Sequence, residues 1–404
     1  MFSYRNKILC NYLGLSFLCS IIFFILLSYS PTQSQLWFAN FGDYMADFLN
    51  NFTILSHNDP YNVIADADSE KLYYLNYPIL GCDRAYPPFA YFIFKLIFLI
   101  TPNEPYARLA FSQYFIFCMA AFYLIVLNNN LKAKSWIKTL IILAFITSGI
   151  FMSSLERGNI IYLSCLGVAF FVFYNHSANK YIREMSLISL CVAVNIKIAP
   201  VIFGVMLWQE KRYKDIIHCI FYCCLMFFLP LLSFEGGMLD NIAAFCNNLS
   251  FQINAYSSRG NINLQYLPYG YIFSLYIYPY LAKFICIMAF FAFWFQKEYW
   301  KKIAIITVFM LVSSAISANY MLLYFFIFMT LFFSKTDYSK LDFIYMILFV
   351  IMFSPIQIFV QGVNIYDDVL KISRLALLAF LAFESLDDLT NFILNKISKK
   401  EASL

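Results

Sequence analysis

The sequence predicts an all-α, polytopic membrane protein, and three observations carry that prediction. Apolar residues fill 62% of the 404 positions and aromatics 21%, while charged residues fill only 13%; a water-soluble globule needs roughly 25% charged residues to cover its surface. Apolar stretches of about 20 residues, the length that crosses a hydrocarbon core of about 30 Å, recur along the whole chain. Backbone amides in hydrocarbon have no water to bond, so these stretches must be helices. About twelve crossings, within a range of 10 to 13, are expected in a single unit covering residues 1–404, with no internal repeat, linker or separate soluble domain.

The first crossing, residues 8–29, is too long for a signal-peptide core and is followed by no small-x-small cleavage site, so a retained anchor is expected. The first long loop, residues 30–86, follows and holds seven of the 23 carboxylates, between Asp43 and Asp83. Within it Trp37, Phe41, Tyr44/Met45, Phe48 and Phe52 recur at helical spacing, with Asn40, Asp43, Asp47 and Asn51 on the opposite face. That pattern predicts a short amphipathic helix in the membrane surface, its carboxylates turned toward water or a cavity. Asn58-Asp59-Pro60-Tyr61 then reads as a turn. Tyr86-Pro87-Pro88 opens the second crossing, where the missing proline amides would be unbonded anyway.

Further crossings are expected at 87–101, 108–128, 136–153, 159–175, 185–208, 214–233, 267–296, 302–318, 319–333, 341–360 and 369–390. With the N-terminus cytoplasmic, this count places Lys211, Arg212 and Lys214, then Lys297, Lys301 and Lys302, then Lys335 and Lys340, then Lys396, Lys399 and Lys400, on the cytoplasmic side. Both termini are then cytoplasmic, and loops 30–86 and 234–265 face outward as the working face. One loop violates the rule: Lys132, Lys134 and Lys138 come out external. The corner Ser153-Ser-Leu-Glu156-Arg157-Gly158-Asn159 comes out cytoplasmic, where a polar helix end is its simplest explanation.

The net charge of +5 reflects this loop bias, and no basic patch with interleaved aromatics suggests nucleic acid. The 11 cysteines lie mostly in apolar segments and behave as small hydrophobes. Cys82 and Cys246 fall in outer loops, where a disulfide is conceivable. His57, His176 and His218 match no metal-ligand spacing.

Two segments stand out inside this frame. Asn195-Ile196-Lys197-Ile198-Ala199-Pro200 sits near the middle of the sixth crossing. A lysine at that depth costs about 2.5–3.5 kcal/mol on insertion scales, and the proline three residues on loosens the helix there. A filled cavity holding an anionic group such as a phosphate would satisfy Lys197; snorkelling to an interface would need it nearer an end. Loop 234–265 is rich in amides and hydroxyls, among them Asn247, Asn248, Tyr256 and Arg259, which suits hydrogen bonding to sugar hydroxyls and equally suits any solvated loop.

Taken in order, Asp43 on the amphipathic helix, Asp59-Pro60-Tyr61, Tyr86-Pro87-Pro88-Phe89, and Lys197 followed by Pro200 resemble the integral-membrane glycosyltransferases of the GT-C superfamily. The resemblance is closest to family 87, the polyprenol-phosphate-mannose-dependent mannosyltransferases, and runs from about Trp37 to Tyr320. It implies transfer of a hexosyl residue, mannosyl by expectation, from a polyprenyl-phosphate sugar to a glycan or glycolipid hydroxyl. The transfer would occur at the outer face of a bacterial inner membrane, with no cofactor and no metal. It also implies Asp43 as the general base and Lys197 as a contact to the lipid phosphate. Where the family carries Ser-Pro-His near the late outer turn, this chain has Ser317-Ala318-Asn319, which leaves the sugar open.

A hydroxyl attacking an anomeric carbon needs a base, and a departing phosphate needs cations rather than a general acid. Lys197, Arg259 and Arg84 are the candidate cations; Asp47, Asp59, Tyr61 and Tyr86 are candidates for acceptor binding or orientation. One base without a covalent partner implies single displacement with inversion. A transporter or flippase with an anion site at mid-membrane, and a polymerase or ligase of surface polysaccharide, are the alternative functions.

Overall fold

The computed structural model describes residues 4–29, 45, 47–49, 51, 59–61, 84–101, 104–131, 133–256, 278–313, 319–356, 359–360, 363–364 and 366–401. Apart from turns and short connections they are helical, with a two-residue antiparallel ladder in which β1 (Phe359–Val360) pairs with β2 (Val363–Asn364), Phe359 opposite Asn364. The helices are α1 (Tyr4–Tyr29), α2 (Pro88–Ile100), α3 (Glu104–Ala121, prolonged as a π-helix to Asn128), α4 (Ser135–Ile146), α5 (Gly149–Glu156), α6 (Ile161–Tyr174) and α7 (Lys180–Ile196). A 3₁₀ turn, Ala199–Phe203, leads into α8 (Gly204–Gln209), then α9 (Tyr213–Leu231), α10 (Met238–Tyr256), α11 (Tyr278–Phe295) and α12 (Tyr299–Ser313). Another 3₁₀ turn, Asn319–Tyr324, precedes α13 (Phe325–Phe333), α14 (Leu341–Phe353) and α15 (Tyr366–Glu401).

Hydropathy explains which helices are central. α6 and α13 are apolar on every side, and both are buried along most of their length, as an all-round hydrophobic helix must be. α6 lies tightly on α7: a Cβ on Gly167 would stand 2.4 Å from the Ser189 carbonyl oxygen, so only glycine permits this approach. α1 and α9 instead expose large apolar side chains, Leu18, Ile21 and Phe24 on one and Ile217, Ile220, Phe221 and Phe228 on the other. Among the described residues, these are the two helices long and apolar enough to cross a membrane. Eight more apolar helices are only 10–17 residues long, so the expected twelve full crossings are not reproduced. The predicted stretches are broken at Thr147-Ser148 and at Lys197-Ile198.

Cross-chain contacts sort the helix ends into two sets. At one end Lys138 donates to the Asn128 carbonyl at 2.7 Å, Asn129 to the Tyr174 hydroxyl at 3.1 Å, Ser334 to the Asn130 carbonyl at 3.2 Å and Arg212 to the Asn175 side chain at 2.8 Å. The Gln209 amide reaches the Phe293 and Trp294 carbonyls there, and Lys301 pairs with Glu298 and Glu384. At the other end lie Asp47, Tyr61, Tyr86, Arg157, Lys197 and Tyr320.

This arrangement corrects the predicted path in two places. α2 does not cross: Lys95, beyond its midpoint, donates to the Ser233 carbonyl next to the end of α9, and Tyr91 packs on Tyr61. Only α3 descends, from Tyr114, which bonds the Ile160 carbonyl, to Asn128. The stretch 185–208, in turn, is two passages. α7 and α9 run parallel, Cys191 opposite Cys219 and Asn195 opposite Cys223, so the 3₁₀ turn and α8 must return between them. One passage fewer and one more cancel, so the loops from Lys211 onward share one end of the bundle. Lys134 and Lys138 join that same end, where the prediction had set them opposite it, and the Arg157 corner sits at the other end, with Asp47. A further correction concerns loop 234–265, of which 238–256 is helix α10, since Ile242, Phe245 and Leu249 share an apolar face that packs into the core around Tyr61. Cys246 is a free, exposed thiol.

Candidate active site

The lysine that hydropathy placed in mid-crossing is where α7 stops. Its backbone is extended, φ −138° and ψ 121°, and its amide makes the last helical bond, to the Ala193 carbonyl. Pro200, in the following 3₁₀ turn, cannot donate the amide a continued helix would need. The break frees Lys197 to lean across to α2. Its ammonium donates to the Tyr86 hydroxyl at 3.1 Å and stands 4.2 Å from the centre of the Tyr86 ring and 5.4 Å from that of Tyr320. Among the described residues Lys197 forms no salt bridge, so two of its three donors point to no protein acceptor.

Facing it is a pairing that sequence inspection missed. The Arg157 guanidinium donates to one Asp47 carboxylate oxygen at 2.6 Å and the Asn159 amide to the other at 2.6 Å. The Asp47 backbone amide completes the contact on the Arg157 carbonyl at 2.9 Å. Gly158, between the two donors, has φ +66°, and a Cβ there would stand 2.9 Å from the Phe48 Cβ and 3.1 Å from the Met45 Cα. The corner can lie against the Asp47 helix because residue 158 has no side chain. Met45 itself adopts φ +56°, a conformation of the kind found where the surrounding structure over-determines the backbone.

Burial alone would raise the Asp47 carboxyl. The Arg157 guanidinium beside it, with the Lys197 ammonium and the Asn159 amide, outweighs that and holds it below the usual carboxylate value. Asp47 therefore contributes stability that is fully present above the unfolded aspartate value of roughly 3.9 and is lost as pH falls through its lower folded value. Asp47→Asn is expected to cost about 1–3 kcal/mol at neutral pH. Its melting temperature should approach that of the wild type near the acid limit; a gap that stays constant from pH 7 to pH 3 would show that the pairing does not stabilise the fold.

The other predicted site residues support this pair to different degrees. Tyr61 is buried, donates to the Tyr86 carbonyl at 2.8 Å and receives the Asn248 amide on its own carbonyl at 3.3 Å. Asp59 accepts the Tyr61 backbone amide at 3.3 Å, an Asx turn. Tyr61 thus contacts the Tyr86 backbone directly, and Asp59 acts on it only through the Tyr61 turn. Arg84 is buried, and its carbonyl accepts the same Asn248 amide at 3.3 Å. The predicted apolar face is seen in Met45 and Phe48, both buried. Asp43 and Arg259 lie outside the described residues, as do Cys82 and His57. Among the described residues no group of three His, Cys, Asp or Glu side chains could hold a metal ion.

Gly158→Ala is expected to destabilise the protein by about 1–3 kcal/mol and to lower activity by loosening Asp47 from Arg157. Unchanged melting and turnover would show that the corner docks differently.

Fold and site together define a class: an all-helical protein that gathers a lysine, an arginine and a carboxylate at one end of an apolar bundle. Residues 85–355 match the model of glycosyltransferase family 87, more than half of the chain, and the chain belongs to that family. It is therefore an enzyme that transfers a sugar from a donor to an acceptor. No curated protein and no solved structure matches the chain.

Proposed function

We propose that the enzyme transfers a hexosyl residue, with mannose the expected sugar, from a polyprenyl phosphate to a hydroxyl of a glycolipid or polysaccharide. The observation that carries this reading is Lys197, an ammonium at a helix break with donors to spare, held over two tyrosine rings beside Arg157. The donor phosphodiester, a monoanion, leaves the anomeric carbon as a phosphate monoester dianion, which needs such cations and no proton. Arg157, fixed by Asp47 and Asn159, supplies the second. The acceptor oxygen forms its bond to the anomeric carbon as the carbon–phosphate oxygen bond breaks. The hydroxyl proton goes to a carboxylate base, for which Asp43, four residues before Asp47 in the chain, is the proposed group. One displacement inverts the anomeric centre. Asp47, with both oxygens already bonded, orients Arg157 instead.

The orientation proposed for the membrane follows from the lysine distribution. Lys134, Lys138, Lys180, Lys211, Lys214, Lys301, Lys302 and Lys335 share the end opposite Asp47, which makes that end cytoplasmic by the positive-inside rule. With the predicted violation at 132–138 removed, the Asp47 end faces outward, where lipid-linked donors rather than nucleotide sugars would be the substrate.

The test is to incubate purified enzyme with a radiolabelled polyprenyl-phosphate hexose and lipid acceptors, and separately with labelled nucleotide hexoses. Label should move only from the lipid-linked sugar. Transfer from a nucleotide sugar would overturn the donor assignment.

A further inference from the structure

Two buried hydroxyls in the core of the bundle take no part in the chemistry proposed above. Ser164, on α6, and Tyr324, at the end of the 3₁₀ turn Asn319–Tyr324, are both fully buried. The Ser164 hydroxyl donates to the Ala193 carbonyl of α7 at 2.9 Å and lies 2.6 Å from the Tyr324 hydroxyl. Ser164 has one hydroxyl proton, and Ala193 takes it, so Tyr324 must be the donor to Ser164. The same Ala193 carbonyl accepts the Lys197 backbone amide at 2.9 Å, the last helical bond of α7. The bonds thus form one line, from Tyr324 through Ser164 and the Ala193 carbonyl to the residue at which the helix breaks.

Stability does not require this line. Buried hydroxyls cost free energy unless they are bonded, and an alanine and a phenylalanine in their places would leave no polar side chain to satisfy. The placement of the two hydroxyls is more specific. Ala193 and Lys197 are four residues apart, and so are Tyr320 and Tyr324. Tyr324 reaches Ala193 through Ser164, while the Tyr320 ring stands 5.4 Å from the Lys197 ammonium, so the end of α7 and the turn run antiparallel and meet at both levels. The Cys165 thiol, donating to the Leu323 carbonyl at 3.4 Å, ties the turn to α6 a second time. A void of about 20 Å³ lies against Cys165, Leu323 and Phe326. Packing therefore leaves the turn room to shift, and the bonds set its register. α6 begins beside Asn159, whose side-chain oxygen accepts the Ile161 amide at 3.0 Å and whose amide holds Asp47. One helix start is thus the reference for both halves of the site: Asn159 for Asp47, Ser164 for Lys197.

We infer that Tyr324 is a positioning residue for sugar transfer: through Ser164 and the Ala193 carbonyl it fixes where α7 ends, and hence where the Lys197 ammonium stands relative to Arg157. The inference rests on Lys197 being the cation that meets the phosphate, as proposed above, and adds what holds it there. A group that stabilises developing charge must be in place before the reaction, and a misplacement of about 1 Å can cost up to about 10² in rate.

Tyr324→Phe removes one oxygen and keeps the ring. In full-length enzyme supplied with undecaprenyl-phosphate mannose and a lipid acceptor, kcat should fall about tenfold, with the donor KM unchanged. Ser164→Ala should show the same loss, and the double variant no more than either single one. In a Lys197→Met background Tyr324→Phe should cost nothing further. An equal further loss in that background, or wild-type kcat in both single variants while Lys197→Met is impaired, would overturn the inference.

A second readout does not depend on turnover. Hydrogen–deuterium exchange of the Lys197 amide, read from a peptide covering 193–200, should quicken about tenfold in Tyr324→Phe, with α14 exchanging as in the wild type. Unchanged exchange at Lys197, or faster exchange in every helix, would overturn the inference. Wild-type turnover in Lys197→Met would instead reject the phosphate reading, and exchange would still decide whether Tyr324 holds Lys197.

Discussion

Lys197→Met is expected to lower kcat by about 10²–10³, the usual cost of removing one group that stabilises charge developing in a transition state, while the protein still inserts and melts normally. Methionine keeps the apolar stem against Tyr86 and Tyr320 and removes only the charge. Since the ammonium forms no salt bridge among the described residues, its loss orphans no bonded carboxylate, so a fall in activity reports on catalysis rather than folding. Lys197→Arg should recover only part of the rate, because a planar guanidinium cannot occupy the same place over the Tyr86 ring. Wild-type kinetics in the methionine variant would mean that the lysine meets no phosphate.

Asp43→Asn should remove transfer by a factor of about 10²–10⁴, the range for a positioned general base, with expression and membrane insertion intact. The contrast with Asp47→Asn separates the two acids. Asp47 already accepts from Arg157 and Asn159, one on each oxygen, at 2.6 Å, and a carboxylate held that way below its usual value is a weak proton acceptor. Its amide variant should therefore lose stability as well as rate, and its rate loss should be non-additive with Arg157→Lys, since both disturb one guanidinium. If Asp47→Asn shows the larger rate loss at unchanged stability, and Asp43→Asn is active, the roles of the two acids are reversed.

Arg157 was within reach of the sequence in one respect. Placing Lys132, Lys134 and Lys138 outside was the single breach of the charge rule, and such a breach signals a miscounted passage upstream. Allowing α2 to stay at one surface repairs the breach and carries the Arg157 corner to the Asp47 end. The miscount arose because α2, with Phe89, Phe92 and Leu96 among its 13 residues, is as apolar as a crossing helix; hydropathy measures how much surface a segment hides, and not which way the segment runs. Helix α10 was overlooked for the complementary reason, its amides masking the spacing of Ile242, Phe245 and Leu249.

What the sequence by itself determined is local: an apolar, all-helical chain, an amphipathic turn that buries Met45 and Phe48, and a helix loosened near Lys197 because a proline follows it. Each follows from the chemistry of a few consecutive residues. Only the tertiary structure decided that Asp47 meets Arg157 and Asn159, 110 and 112 positions along the chain, and that Lys197 crosses to Tyr86. Those meetings depend on the direction of every intervening helix, and a single passage more or less moves a charged corner to the opposite end of the bundle.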